Sequence, residues 1–166
     1  KAKTWLTLTA PKFTYGDYKP GSVSAIICAF SASGLQKLGL SADEMATFPH
    51  AFTDGMAARG RILGDTDASD PKKWNWGSDK NAVDVTLLLY APGASELEAL
   101  VEQETKALKK QGGNIVKFIP METLPPRGTP IREPFGFVDG VSQPVMRGTG
   151  RHKPGMKDQH IIEPGE

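Results

Sequence analysis

Hydrophobic and polar positions alternate most regularly over residues 82–90. There Val83, Val85, Leu87 and Leu89 fall on one face of an extended chain and Asp84, Thr86, Leu88 and Tyr90 on the other, which predicts a strand. Residues 23–30, Val-Ser-Ala-Ile-Ile-Cys-Ala-Phe, form a mostly apolar, branched run that predicts a buried strand. Leu97, Leu100, Val101 and Leu108 recur at helical spacing and predict a helix with one apolar stripe. Ser95 with Glu98 has the spacing of a capping box at its start, and Lys106, Lys109 and Lys110 precede Gly112-Gly113 at its end. Residues 115–119 then read as a further strand.

The remaining segments connect these elements. Residues 1–10 fit either a strand or the tail of a helix and are too few to decide. Ser41 and Glu44 form a second capping-box pair, so a helix should start at Ala42 and stop before Pro49, with a second short helix running to about Ala58. Residues 59–80 read as an ordered surface loop, long for a structureless connection. Five prolines stiffen residues 120–134, and beyond Pro144 the chain is basic and turn-rich, with no closing element expected. The order predicts a half-domain over 1–119 with a helical insert at 32–58, a Pro-rich linker at 120–134, and a distinct loop region at 135–166. The class is α+β. A strand and helix placed ahead of it would complete a ferredoxin-like antiparallel sheet with helices on one face.

Composition narrows the partners. The chain has 166 residues, 39% hydrophobic and 23% charged, enough for one domain with a core. With 20 basic and 19 acidic side chains, net charge +1, no long segment is dominated by either sign, which argues against nucleic acid and membrane surfaces as partners. No apolar run reaches the roughly 18 residues of a membrane span, and no signal pattern is visible at the N-terminus. The compartment stays open. The single cysteine, Cys28, allows no internal disulfide and reads as a small packed hydrophobe.

Candidate chemistry concentrates in Arg132-Glu133-Pro134-Phe135-Gly136-Phe137-Val138-Asp139-Gly140-Val141-Ser142-Gln143-Pro144. Gly136 and Gly140 bracket one acid, Asp139, and glycine permits both positive φ and close approach to a flat ligand. Phe135 and Phe137, two apart, would share a face of an extended chain and shield the acid from water. Asp-Gly is also a common turn dipeptide without chemistry of its own.

The run Phe-Gly-Phe-Val-Asp-Gly-Val-Ser-Gln-Pro closely resembles the GXXDG signature of dye-decolourising haem peroxidases. The likeness extends to Ser33-Gly34-Leu35, Leu38-Gly39-Leu40, Phe52 with Asp54-Gly55-Met56 and Arg59, Leu63-Gly64-Asp65, the Trp74-to-Trp76 segment and Pro164-Gly165-Glu166. One departure is Pro134, where members of that family often carry a histidine. The resemblance implies a fold of two ferredoxin-like halves, of which this chain would be the first, lacking its initial strand. It implies haem b (iron protoporphyrin IX), with the proximal His and the distal arginine outside this chain, and hydrogen peroxide plus a reducing substrate such as a dye or phenol. Asp139 would be the catalytic acid and base, and Gly136, Phe137, Val138, Asp139, Gly140, Val141 and Gln143 would line the haem. The C-terminal half of the same protein, in the same or another chain, would be the partner, and an oligomer is left open.

Other residues compete poorly. His50 follows Pro49 on a short predicted helix, His152 and His160 lie in a polar segment with no apolar neighbours to enclose a macrocycle, and their spacing fits no zinc motif. Arg147 and Arg151 read as solvated loop residues before propionate ligands, and Trp5, Trp74, Trp76, Tyr15 and Tyr18 as core edges before electron relays. Ser142 has no paired histidine, and Glu133 with Asp139 has no sugar-binding cleft around it. Two further readings stand beside the peroxidase: a non-catalytic ferredoxin-like binding module, and a related haem or porphyrin-handling protein without turnover.

Overall fold

A computed structural model describes residues 2–14, 24–121, 130, 132–138, 145–147, 155 and 161–162. The chain divides into two compact units, one of Lys1–Thr14 with Gly21–Phe118 and one of Tyr15–Pro20 with Ile119–Glu166.

In the first unit the ambiguous N-terminus is a helix, α1 (Ala2–Thr9). Its threonines are poor helix formers, but Trp5 and Thr9, four apart, share one helical face and are buried at 5% and 1% exposure. Among the described residues its sheet is one antiparallel pair, β1 (Ala25–Phe30) with β2 (Val85–Tyr90), in register from Ala25 opposite Tyr90 to Phe30 opposite Val85. Directly opposed residues share a face, so Ile26, Cys28 and Phe30 lie with Leu89, Leu87 and Val85. That face is buried or half-buried throughout, whereas Ile27 and Tyr90 on the other are exposed. The buried strand expected at residues 23–30 is therefore buried on one face only.

Between the strands run α2 (Ala32–Leu38), α3 (Ala42–Ala46), α4 (His50–Ala58, kinked at Gly55) and α5 (Gly60–Leu63). The capping box at α3 forms as expected. Ser41 Oγ accepts from the Glu44 N–H at 3.2 Å, and Glu44 Oε2 accepts from the Ser41 N–H at 2.7 Å. The Ser41 main-chain and then side-chain hydrogen bonds hold the Glu44 carboxyl below the usual carboxylate range. Residues 65–81 are tied down locally: Trp74 Nε1 donates to Ser69 O at 2.7 Å, and Lys73 Nζ donates to Asp67 O at 2.7 Å.

Asp84 locks the end of the strand pair to α2. Its carbonyl accepts from the Ser31 N–H at 3.1 Å, and its carboxylate accepts from Ser33 Oγ at 3.1 Å and Lys37 Nζ at 2.8 Å. Gly34 makes this approach possible, because a Cβ there would overlap the Asp84 carbonyl oxygen.

Helix α6 (Ala94–Lys110) carries the expected stripe of Leu97, Leu100, Val101 and Leu108, all half-buried. Its start differs from the expected box. The cap is Gly93, whose carbonyl takes the first helical bond from Leu97 N–H, and Ser95 lies inside the helix with its hydroxyl on Glu96. Glu104 occupies the centre of the apolar stripe and is 3% exposed. Lys12 Nζ meets its Oε1 at 2.8 Å, while Oε2 has no hydrogen-bond partner among the described residues.

Residues 115–119 do not form the expected strand. Ile115, Val116, Phe118 and Ile119 are all exposed, by 39–58%. Strand propensity alone does not order backbone whose N–H and C=O groups lack a partner strand. The α+β class holds, but the described sheet has two strands here and a separate two-residue parallel pair, β3 (Val145–Met146) with β4 (Ile161–Ile162), in the second unit. That pair lies where no element was expected.

Substituting Gly34→Ala should push α2 off Asp84 and cost about 1–3 kcal/mol as an overpacked contact, measured by urea unfolding. Lys12→Met should cost about 1–3 kcal/mol by stranding the Glu104 carboxylate, at the lower end because Lys12 is 39% exposed and water screens the pair. Adding Glu104→Leu to that variant should restore most of the loss, since an apolar pair leaves no charge unpaired.

Candidate functional site

Residues 132–138 form a short hairpin, and its hydrogen bonds explain its sequence. Arg132 bridges Val138 in antiparallel fashion, Glu133 N–H donates to Phe137 O at 2.8 Å, and Gly136 N–H donates to Glu133 O at 2.9 Å. This is a three-residue hairpin loop that ends on a left-handed residue. Gly136 supplies that residue at φ +92°. Pro134 follows Glu133 into the turn, where a φ fixed near −65° is favourable. Its place in the loop explains why a proline suits this approach to the motif.

The hairpin overturns one expectation about the aromatics. Phe135 sits within the turn and Gly136 bulges between it and Phe137, so the two rings do not stand on one face of a continuous strand. Both are exposed, Phe135 by 87% and Phe137 by 70%. Among the described residues nothing lies within 4 Å of the point where a Cβ on Gly136 would stand. Arg132, which the sequence reading did not single out, donates from Nη1 to Gly136 O at 2.8 Å and braces the loop from outside. A basic residue four positions before the first motif glycine was the available signal.

Gly136, Phe137 and Val138 are therefore brought onto one hairpin arm and its bulge, with Val138 half-buried opposite Arg132. Asp139, Gly140, Val141 and Gln143 lie outside the described residues, as do Ser142, Arg151, His152, His160, Tyr15 and Tyr18. Glu133 contributes main-chain bonds to the turn.

His50 is exposed at the first position of α4, and no group of three or more His, Cys, Asp or Glu among the described residues is arranged to hold a metal ion. Cys28 is half-buried on the covered face of β1, and burial pushes its thiol up from the ordinary value, which disfavours the thiolate. Trp5 is core, and Trp76 is 44% exposed. Among the described residues no helix is long and apolar enough to cross a membrane.

No family model matches the sequence, and no curated protein matches it. Solved structures do. A crystal structure of DyP aligns over 98% of this chain and 35% of its own, with TM-score 0.64 and 23% identity. A point mutant of the dye-decolorizing peroxidase from Pleurotus ostreatus aligns over 98% of this chain and 33% of its own, with TM-score 0.63 and 21% identity. The chain has the fold of part of a dye-decolourising peroxidase. It spans about a third of the length of the solved structures it matches, and at these identities the likeness concerns fold.

Because no described residue crowds Gly136, replacing it tests mainly its left-handed backbone conformation. Gly136→Ala should destabilise the hairpin by about 1–2 kcal/mol, the penalty for a left-handed L-residue. The check is faster amide exchange at Gly136 and Glu133, whose N–H groups close the turn, with exchange in α6 unchanged.

Proposed function

We propose that this chain is the distal-side portion of a dye-decolourising-type haem peroxidase, a ferredoxin-like half that works together with a further half carrying the iron ligand. The observation that carries the reading is the fold match to two dye-decolourising peroxidases across 98% of the chain. The Gly-Phe-Val-Asp-Gly run supports it, starting as it does on a hairpin with an exposed aromatic and open backbone side.

On this reading haem supplies the iron at which the peroxide O–O bond is broken. The chain's own part is binding and proton handling. Gly136, Phe137, Val138, Gly140, Val141 and Gln143 line the macrocycle, with glycine backbone allowing close contact and phenylalanine excluding water. Asp139 accepts a proton from hydrogen peroxide and returns it to the departing oxygen. A carboxylate does this in mildly acidic solution, since the usual aspartate pKa of about 3.9 leaves it ionised there, whereas histidine would already be protonated. A dye, phenol or similar reductant supplies the electrons.

In the native, haem-loaded protein Asp139→Asn should leave the haem content and Soret absorption unchanged and slow peroxide cleavage by about 10²–10⁴-fold, the range for losing a positioned acid-base group. Rapid mixing with hydrogen peroxide measures this, and an undiminished rate would remove Asp139 from the role. Peroxide-dependent dye oxidation by the unsubstituted protein separates a peroxidase from a porphyrin-handling relative. A native protein without haem absorption would instead favour a binding module.

A further inference from the structure

The two main-chain bonds that close the hairpin leave one of its carbonyls to a side chain. Glu133 N–H donates to Phe137 O at 2.8 Å and Gly136 N–H donates to Glu133 O at 2.9 Å. Neither bond uses the Gly136 carbonyl, which accepts instead from Arg132 Nη1 at 2.8 Å. Arg132 stands next to an acid, Glu133, yet among the described residues its guanidinium forms no ion pair. Its described side-chain bond is the one to the loop.

That bond falls on the least constrained link of the turn. Gly136 lies at φ +92°, and no described atom stands within 4 Å of where its Cβ would be, so neither a side chain nor packing restricts its ψ. This torsion sets the direction in which Phe137 and Val138 leave the turn. The carbonyl oxygen rotates with ψ, so tying it to Arg132 selects one direction. Burial contributes little to that choice, with Phe135 87% and Phe137 70% exposed. Arg132 also holds the far end of the arm, because its backbone bridges Val138. One residue therefore sets both the angle at which the arm starts and the point it reaches.

Asp139 follows Val138 directly in the chain. We infer that Arg132 is a positioning residue for Asp139, acting through the Gly136 carbonyl on the arm that carries the acid. This rests on the peroxidase reading of Asp139 and adds to it a residue outside the Gly-Phe-Val-Asp-Gly run. An acid-base group works only within hydrogen-bond reach of the proton it moves, and a misplacement of about 1 Å can slow a reaction about 100-fold. Arginine suits the task because its charge is permanent and its five N–H donors are held in a rigid fork. A charged donor also binds a carbonyl more strongly than a neutral one.

A double-substitution cycle on the native, haem-loaded protein, read by rapid mixing with hydrogen peroxide, tests this. Arg132→Met keeps an unbranched stem and removes every donor. It should retain the haem content and slow peroxide cleavage by about 10- to 100-fold in the parent protein. In an Asp139→Asn background it should change the rate by less than about twofold, because a residue that acts through Asp139 then has nothing left to position. Simple loss of folded protein would lower both backgrounds by the same factor, and equal slowing in the two would overturn the inference. A second readout needs no turnover: Arg132→Met should speed amide exchange at Glu133 and Gly136 by about tenfold or more, with α6 unchanged. Unaltered exchange at those two positions would also overturn it. Should Asp139→Asn alone leave the rate undiminished, the assignment of Asp139 itself falls. That result is distinct from an effective Asp139→Asn beside an ineffective Arg132→Met, which removes Arg132 and leaves the peroxidase reading in place.

Discussion

The first unit depends on the register between Ala25–Phe30 and Val85–Tyr90. These segments are joined by a long stretch of helices and turns, so pairing them closes a large loop at a substantial entropic cost. Asp84 holds the junction, taking a main-chain bond from Ser31 and side-chain bonds from Ser33 and Lys37 at the mouth of the pair. A slip of one residue would turn Ile26, Cys28, Leu87 and Leu89 to the exposed face and break the Asp84 contacts together. The absence of a side chain at Gly34 allows α2 to sit close enough for this arrangement.

The hairpin at 132–138 relies on the same balance at smaller scale. Two main-chain bonds and one arginine bond hold the turn, while its rings stay in solvent. A loop that keeps Phe135 and Phe137 exposed gains nothing from their burial within itself.

Glu104 illustrates a limit of stripe reading. Its position falls within the pattern of Leu97, Leu100, Val101 and Leu108, and an acid there is a visible anomaly. Its partner is Lys12, 92 residues away. No local rule connects them, because the pairing exists only once the segment after α1 lies against α6.

Local periodicity and capping chemistry in the sequence determined α3, α6 and the β2 strand, because those elements are specified by neighbours within a few residues. The motif around Asp139 was also visible there, and the first glycine's left-handed role follows from its type. Tertiary structure decided what depends on distant partners. Residues 2–9 became a helix because Trp5 and Thr9 reach the core together. Ser95 lost the cap to Gly93, Phe135 and Phe137 were separated by a turn, and residues 115–119 stayed out of the sheet. A strand is completed by the backbone beside it, and that neighbour is chosen by the fold.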